Sequence, residues 1–181
     1  MNLEPDNLNS NMDVYNIRSE EEWRQILDDL RQELGMPVSL MDKENVILQT
    51  SGERNVLCSA IRTVKESLIS ICSQTQQFMT KEVRTTRRPF IGACEVGMSK
   101  LVIPIFFKGG WVGTITACGA CIPGEEIETF MVEKSLQMRE EEISRLAKQV
   151  PKQEQDKVVE VANRVFQELH ENTILFSLNG F

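Results

Sequence analysis

Phe90-Ile-Gly-Ala-Cys94, Lys100-Leu-Val-Ile-Pro-Ile-Phe-Phe107 and Trp111-Val-Gly-Thr-Ile-Thr-Ala-Cys118 are three runs dense in β-branched and aromatic residues, the composition of strands. Gly109–Gly110 separates the last two, and a tight hairpin with positive φ is expected there. Upstream, Val38–Met41 and Val46–Gln49 flank Asp42, Lys43, Glu44 and Asn45, a turn composition that makes this pair a hairpin as well. Meander plus hairpin gives a mostly antiparallel five-stranded sheet. The fold class is α+β.

Helices surround these strands. Ser19 and Glu22 form a capping box ahead of Trp23, Ile26, Leu27, Leu30 and Leu34, which share one face, and Gly35 and Pro37 stop the helix. From Val56 to Arg87 the spacing is helical, in two segments meeting near Arg62. Val64, Leu68, Ile71, Cys72, Thr75, Met79 and Val83 lie on one side. A further helix is expected from Glu125 to Gln149. Its Leu136, Ile143 and Val150 recur every seven residues, interrupted by Arg139, and predict a homodimer through this helix. After Pro151 a last helix carries Val158, Val161, Ala162, Val165, Phe166 and Leu169. The expected division is a flexible leader over 1–18, a folded domain over 19–124, and signalling or dimerisation helices over 125–181.

Composition narrows the function. The 181 residues are 41% hydrophobic and 26% charged, which is globular. A net charge of −7 argues against direct nucleic-acid binding, which needs cations to displace phosphate counterions. No apolar run approaches the ~20 residues that span a bilayer, and the Asn- and Asp-rich start is no signal peptide. The expectation is a soluble cytoplasmic protein with no membrane partner. The length leaves no room for a kinase, receiver or DNA-binding motif, so the chain reads as an excised input domain or a stand-alone sensor.

Residues suited to catalysis are few. His170 is the single histidine, expected at the surface between Glu168 and Glu171, and phosphate loops, nucleophile elbows and metalloprotease helices are all missing. The chain is therefore read as a non-enzyme. The cysteines carry more chemistry. Cys118 and Cys121 form a C-x-x-C unit whose turn can bring both sulfurs to one metal, and Cys58 and Cys94 sit at element ends that can converge on it. Four thiolates suit zinc or an iron–sulfur cluster. Cys72, on the apolar helix face, fits the core before it fits a ligand set.

Cys58-Ser-Ala-Ile-Arg, Ile71-Cys72-Ser-Gln, Cys94-Glu-Val-Gly97, Leu101-Val-Ile-Pro104-Ile and Gly113-Thr-Ile-Thr-Ala-Cys-Gly119, in this order, resemble the PocR sensory domain over roughly Glu20 to Pro123. The opening hairpin is also the kind that begins PAS-like and GAF-like folds. The resemblance implies a PAS-like fold with a small-molecule ligand, such as a short diol, between sheet and helices. It also implies a fused or partner histidine kinase, DNA-binding regulator or chemoreceptor. The chain departs from the family at Glu95, where His is common, and at Ala120, where Gln is common, with Cys121 following.

In such a fold the concave face of the sheet would present Cys94, Val96, Ile103, Ile105, Ile115 and Ala117, with Cys58 and Phe90 at the rim. This largely apolar set suits a small, weakly polar metabolite. Alternation groups these residues without saying which face meets the cavity, and a shift of one residue inverts the set. Three readings stand open: a small-molecule sensor, a cysteine-ligated redox or oxygen sensor, and a dimerisation module with buried thiols.

Overall fold

In the computed structural model, which describes residues 12–178, five strands form one antiparallel sheet in the order β2-β1-β5-β4-β3. The strands are β1 (Val38–Asp42), β2 (Ile47–Ser51), β3 (Phe90–Ala93), β4 (Ser99–Phe107) and β5 (Gly110–Ala120). With helices on both faces, this is the α+β, PAS/GAF-like architecture. The central β4–β5 hairpin turns through Lys108 and Gly109, both at positive φ. The turn pair is thus shifted one residue from Gly109–Gly110, because Gly110 already pairs with Phe107.

One face is covered by α1 (Glu20–Leu34) and α7 (Gln155–Leu178). The Ser19–Glu22 capping box forms, and Gly35 adopts the left-handed C-cap at φ 61°. Trp23, Leu27 and Leu30 of α1 and Val158, Ala162 and Val165 of α7 are buried against Val38, Leu40, Leu101, Ile103, Ile105, Ile115 and Ala117 of the sheet. Arg164 grips Glu33 with two bonds of 2.6 and 2.8 Å, tying α7 to α1. The last helix is therefore part of the main core. Within the expected leader, residues 1–11 lie outside the described residues, but Val14 is fully buried and accepts a 2.9 Å bond from the Trp23 indole. That segment packs on the domain because Val14, with Met12 and Ile17 beside it, completes the α1 face. Residues 179–181 also lie outside the described residues.

The second face meets α2 (Val56–Thr63), α3 (Lys65–Ser67) and α4 (Gln74–Thr86), with a π-helical segment over Leu68–Ser73 between the last two. The break falls at Val64, which is extended at ψ 120°, close to the junction expected from the sequence. Helical spacing gave no sign of the π segment.

The expected helix over Glu125–Gln149 is instead two short helices, α5 (Thr129–Leu136) and α6 (Glu140–Ala147). Gln137 turns left-handed at φ 54° and Arg139 is extended, so the chain reverses between them. The reversal lets Val132 and Ile143, both 0% exposed, enter one apolar cluster with Leu57, Ile61, Val96 and Val150. All three seam residues that predicted dimerisation are thus used inside the chain, Ile143 and Val150 buried in this cluster and Leu136 packed against it. No helix among the described residues is long and apolar enough to cross a membrane. His170 is half-buried rather than at the surface. Its Nδ1 lies 2.6 Å from the Phe166 carbonyl and its ring packs on Phe166 at 4.2 Å, while burial lowers its pKa.

Candidate functional site

A cavity of about 370 Å³ opens between the α2–α4 layer and the sheet, within the size range of small-molecule sites. Its floor alternates along the strands. Ser39 and Met41 come from β1, Lys100 from β4, and Thr116 and Cys118 from β5. Residues one position away belong to the opposite face. Ile103, Ile105, Ile115 and Ala117, expected in the cavity, are instead close-packed beneath α1 and α7. The set is inverted by one residue because two large amphipathic helices claim the more apolar face. Val96 is fully buried in the smaller core near Ile143, and Phe90 packs with Met79 and Val83. Neither lines the cavity, while Cys94 does.

Two positions fix the cysteine end. Lys100 pairs with Cys118 and Ser99 with Ala120, so Gly119 is an extra residue on β5, a bulge made possible by its φ of 106°. Beside it, Asn55 caps α2 by accepting a 2.8 Å bond from the Cys58 N–H, and its Nδ2 donates to the Gly119 carbonyl at 2.7 Å and to Cys58 Sγ at 3.4 Å. Helix start and strand end are thereby locked together with two thiols between them. Gly97, at φ 81°, closes the turn after β3, where its N–H donates to the Cys94 carbonyl at 2.8 Å.

Four cysteines line this end: Cys58, Cys72, Cys94 and Cys118. Ionisation of Cys58 is opposed by Cys118, Cys94 and Cys72, that of Cys94 by Cys118 and Cys72, and that of Cys118 by Cys72. Cys72 reaches the cavity from the π segment, where the widened turn departs from the α-helical face assignment. Cys121 does not line the cavity: it is buried in the apolar cluster against which Cys58, Cys72 and Cys94 pack, bonded through its backbone to Pro151 and Gln153, with Glu125 and Lys152 as charged neighbours. The C-x-x-C pair is separated by the Gly119 bulge. Among the described residues, no three His, Cys, Asp or Glu side chains surround a point where a single ion would sit.

Burial dominates the ionisation of this end. It pushes the Cys58 thiol up to about 12, and the neighbouring cysteines add to the effect. Cys118 is raised by burial and drawn back by Lys100, Arg54 and Arg62. Cys94 is raised by burial, while backbone N–H groups of Val96 and Met98 favour its thiolate. Lys100 is 6% exposed, and burial holds its ammonium below the usual range.

The other end of the cavity is a polar network. Gln76 Nε2 donates to Thr80 Oγ1 at 3.0 Å and to Asn45 Oδ1 at 3.2 Å, and Thr80 donates to the same Asn45 oxygen at 2.8 Å. Asn45 sits at φ 62° in the β1–β2 turn, so this network ties the hairpin to α4. Gln76 is 6% exposed, and its Oε1 is buried with no partner among the described residues. Nothing in the sequence singled out Gln76, because a glutamine in an amphipathic helix reads as solvated.

A family model described as the sensory domain found in PocR matches residues 17–172, a span that includes α5, α6 and most of α7. No curated protein and no solved structure matches.

Proposed function

The chain belongs to the PocR sensory-domain family, and from that premise we propose that the cavity under α2–α4 receives a small, weakly polar metabolite carrying a hydroxyl group. The observation that carries this reading is the buried, unpartnered Gln76 Oε1. A buried acceptor without a donor costs about 1–3 kcal/mol, and a ligand hydroxyl that pairs it recovers that amount, roughly 5- to 150-fold in affinity. Ser39, Asn45 and Thr116 supply further polar contacts, and Met41 and Leu68 supply apolar surface. A sugar or nucleotide would leave many more groups to satisfy than this set offers.

The ligand sits against the π segment and α4, so occupancy bears directly on the helical layer. The altered layer is then read by a histidine kinase, DNA-binding regulator or chemoreceptor, fused or separate. The test is calorimetry and thermal shift with short alcohols, diols and related hydroxylated metabolites. A ligand specific for the folded state raises the melting temperature, and Gln76→Leu should weaken its binding at least about fivefold. Equal affinity in Gln76→Leu would remove this placement.

A further inference from the structure

Three features of the cysteine end are not used by the metabolite reading: four thiols that converge, a turn built around one of them, and a concentration of positive charge. We propose that Cys58, Cys72, Cys94 and Cys118 are the ligands of a [4Fe–4S] cluster, held beside the metabolite end of the same cavity.

The first argument is spacing. A single zinc ion draws four sulfurs to about 2.3 Å from one point, and no such point exists among the described residues. Yet all four cysteines line one cavity, close enough for Cys72 to act on the ionisation of each of the other three. A cubane asks for a wider set of ligands than one ion does, since its four irons each bind one thiolate at the corner of a larger tetrahedron. The cavity has volume for it.

The second argument is the turn at Cys94. Its N–H donates to the Met98 carbonyl at 2.9 Å, the Gly97 N–H donates back to the Cys94 carbonyl, and the N–H groups of Val96 and Met98 address its sulfur. Hydrogen bonds to ligand sulfurs are a principal means of tuning such clusters. Asn55 supplies one more donor, to Cys58. In the metal-free chain the Cys58 thiol donates to Met98 Sδ at 3.7 Å, whereas a thiolate would accept such N–H bonds more strongly than the thiol does.

The third argument is charge. Four thiolates on a [4Fe–4S]2+ core give a centre of net charge 2−, and Lys100, Arg54 and Arg62 all act on Cys118 or its neighbour across the ladder. Loading is a ligand exchange without electron transfer: each thiol gives up its proton as its sulfur bonds to iron, and a small thiolate leaves the core and takes that proton. The metabolite end remains free, since Thr116 lies two residues along β5 from Cys118, about 7 Å.

The whole chain is treated without oxygen with a synthetic thiolate-ligated [4Fe–4S]2+ complex, desalted, and assayed for iron, sulfide and visible absorbance. About four irons and four sulfides per chain are expected. Cys58→Ser, Cys72→Ser, Cys94→Ser and Cys118→Ser should each lose at least half of the bound iron, and Cys121→Ser should keep all of it. Circular dichroism of each metal-free variant separates loss of the site from loss of the fold. If a variant unfolds, alkylation in denaturant decides instead: the four named thiols of the loaded wild-type chain should react only once the iron has been chelated away, and Cys121 should react whether or not iron is removed. No retained cluster, equal loss in Cys121→Ser, or binding of zinc alone overturns the proposal. None of these outcomes touches metabolite binding, which is read separately through Gln76→Leu in the metal-free chain.

Discussion

Lys100 and Cys118 stand directly opposite one another on β4 and β5 and enter the same cavity. Side chains paired across an antiparallel ladder have Cβ atoms about 5 Å apart, so the buried Lys100 and the half-buried Cys118 are neighbours by construction. Each moderates the other, the ammonium favouring the Cys118 thiolate and the thiolate favouring the ammonium.

Replacing Lys100 by Met should raise the stability of the metal-free chain near neutral pH, because a desolvated charge disappears while the stem remains. Burial places the folded-state pKa below the unfolded value of 10.5. Between the two the unfolded chain holds the extra proton, so this group makes stability rise with pH. Urea midpoints across that window should show the rise in the wild type relative to Lys100→Met. Parallel curves would contradict it.

Cys58 has the opposite sign. Its folded-state value of about 12 exceeds the unfolded 9.0, so its contribution is complete below pH 9.0 and is lost as pH climbs towards 12. The stability difference between the metal-free wild type and Cys58→Ala should narrow across that interval. Alkylation of Cys58 by iodoacetamide near pH 8 should also be much slower in the native than in the denatured chain.

Ile115 and Thr116 are adjacent on β5 but face different layers. Ile115→Trp overpacks the close-packed core beneath α1 and α7 and should cost about 3 kcal/mol or unfold the chain. Thr116→Leu instead projects into the cavity and should abolish the ligand-induced thermal shift with the fold retained. Scanning calorimetry of both variants, with and without ligand, distinguishes the faces.

Asn55 joins α2 to the β5 bulge through two bonds of different kinds. Asn55→Ala loses the helix cap, about 1 kcal/mol, and leaves the Gly119 carbonyl without its donor, about 1–3 kcal/mol more. Asn55→Asp keeps the cap acceptor and should recover part of that loss. Equal destabilisation in the two variants, measured by urea unfolding, would show that the cap contributes nothing.

The sequence by itself determined the strands, their antiparallel order of connection, the capped first helix and the sensory family, because these follow from local periodicity, turn chemistry and spaced motifs. It also grouped the strand residues into two faces. Only the tertiary structure decided which face meets the cavity. Ile103, Ile105, Ile115 and Ala117 are buried where α1 and α7 dock, and the docking of helices distant in sequence leaves no trace in strand alternation. The cysteines show the same limit. Cys118 and Cys121 are three residues apart in sequence but separated by a one-residue bulge at Gly119, whereas Cys72 arrives from a remote helix through a π turn. Proximity along the chain is a constraint on reach, not on direction, and direction is set by backbone irregularities that cost local energy and are stabilised by the packing around them.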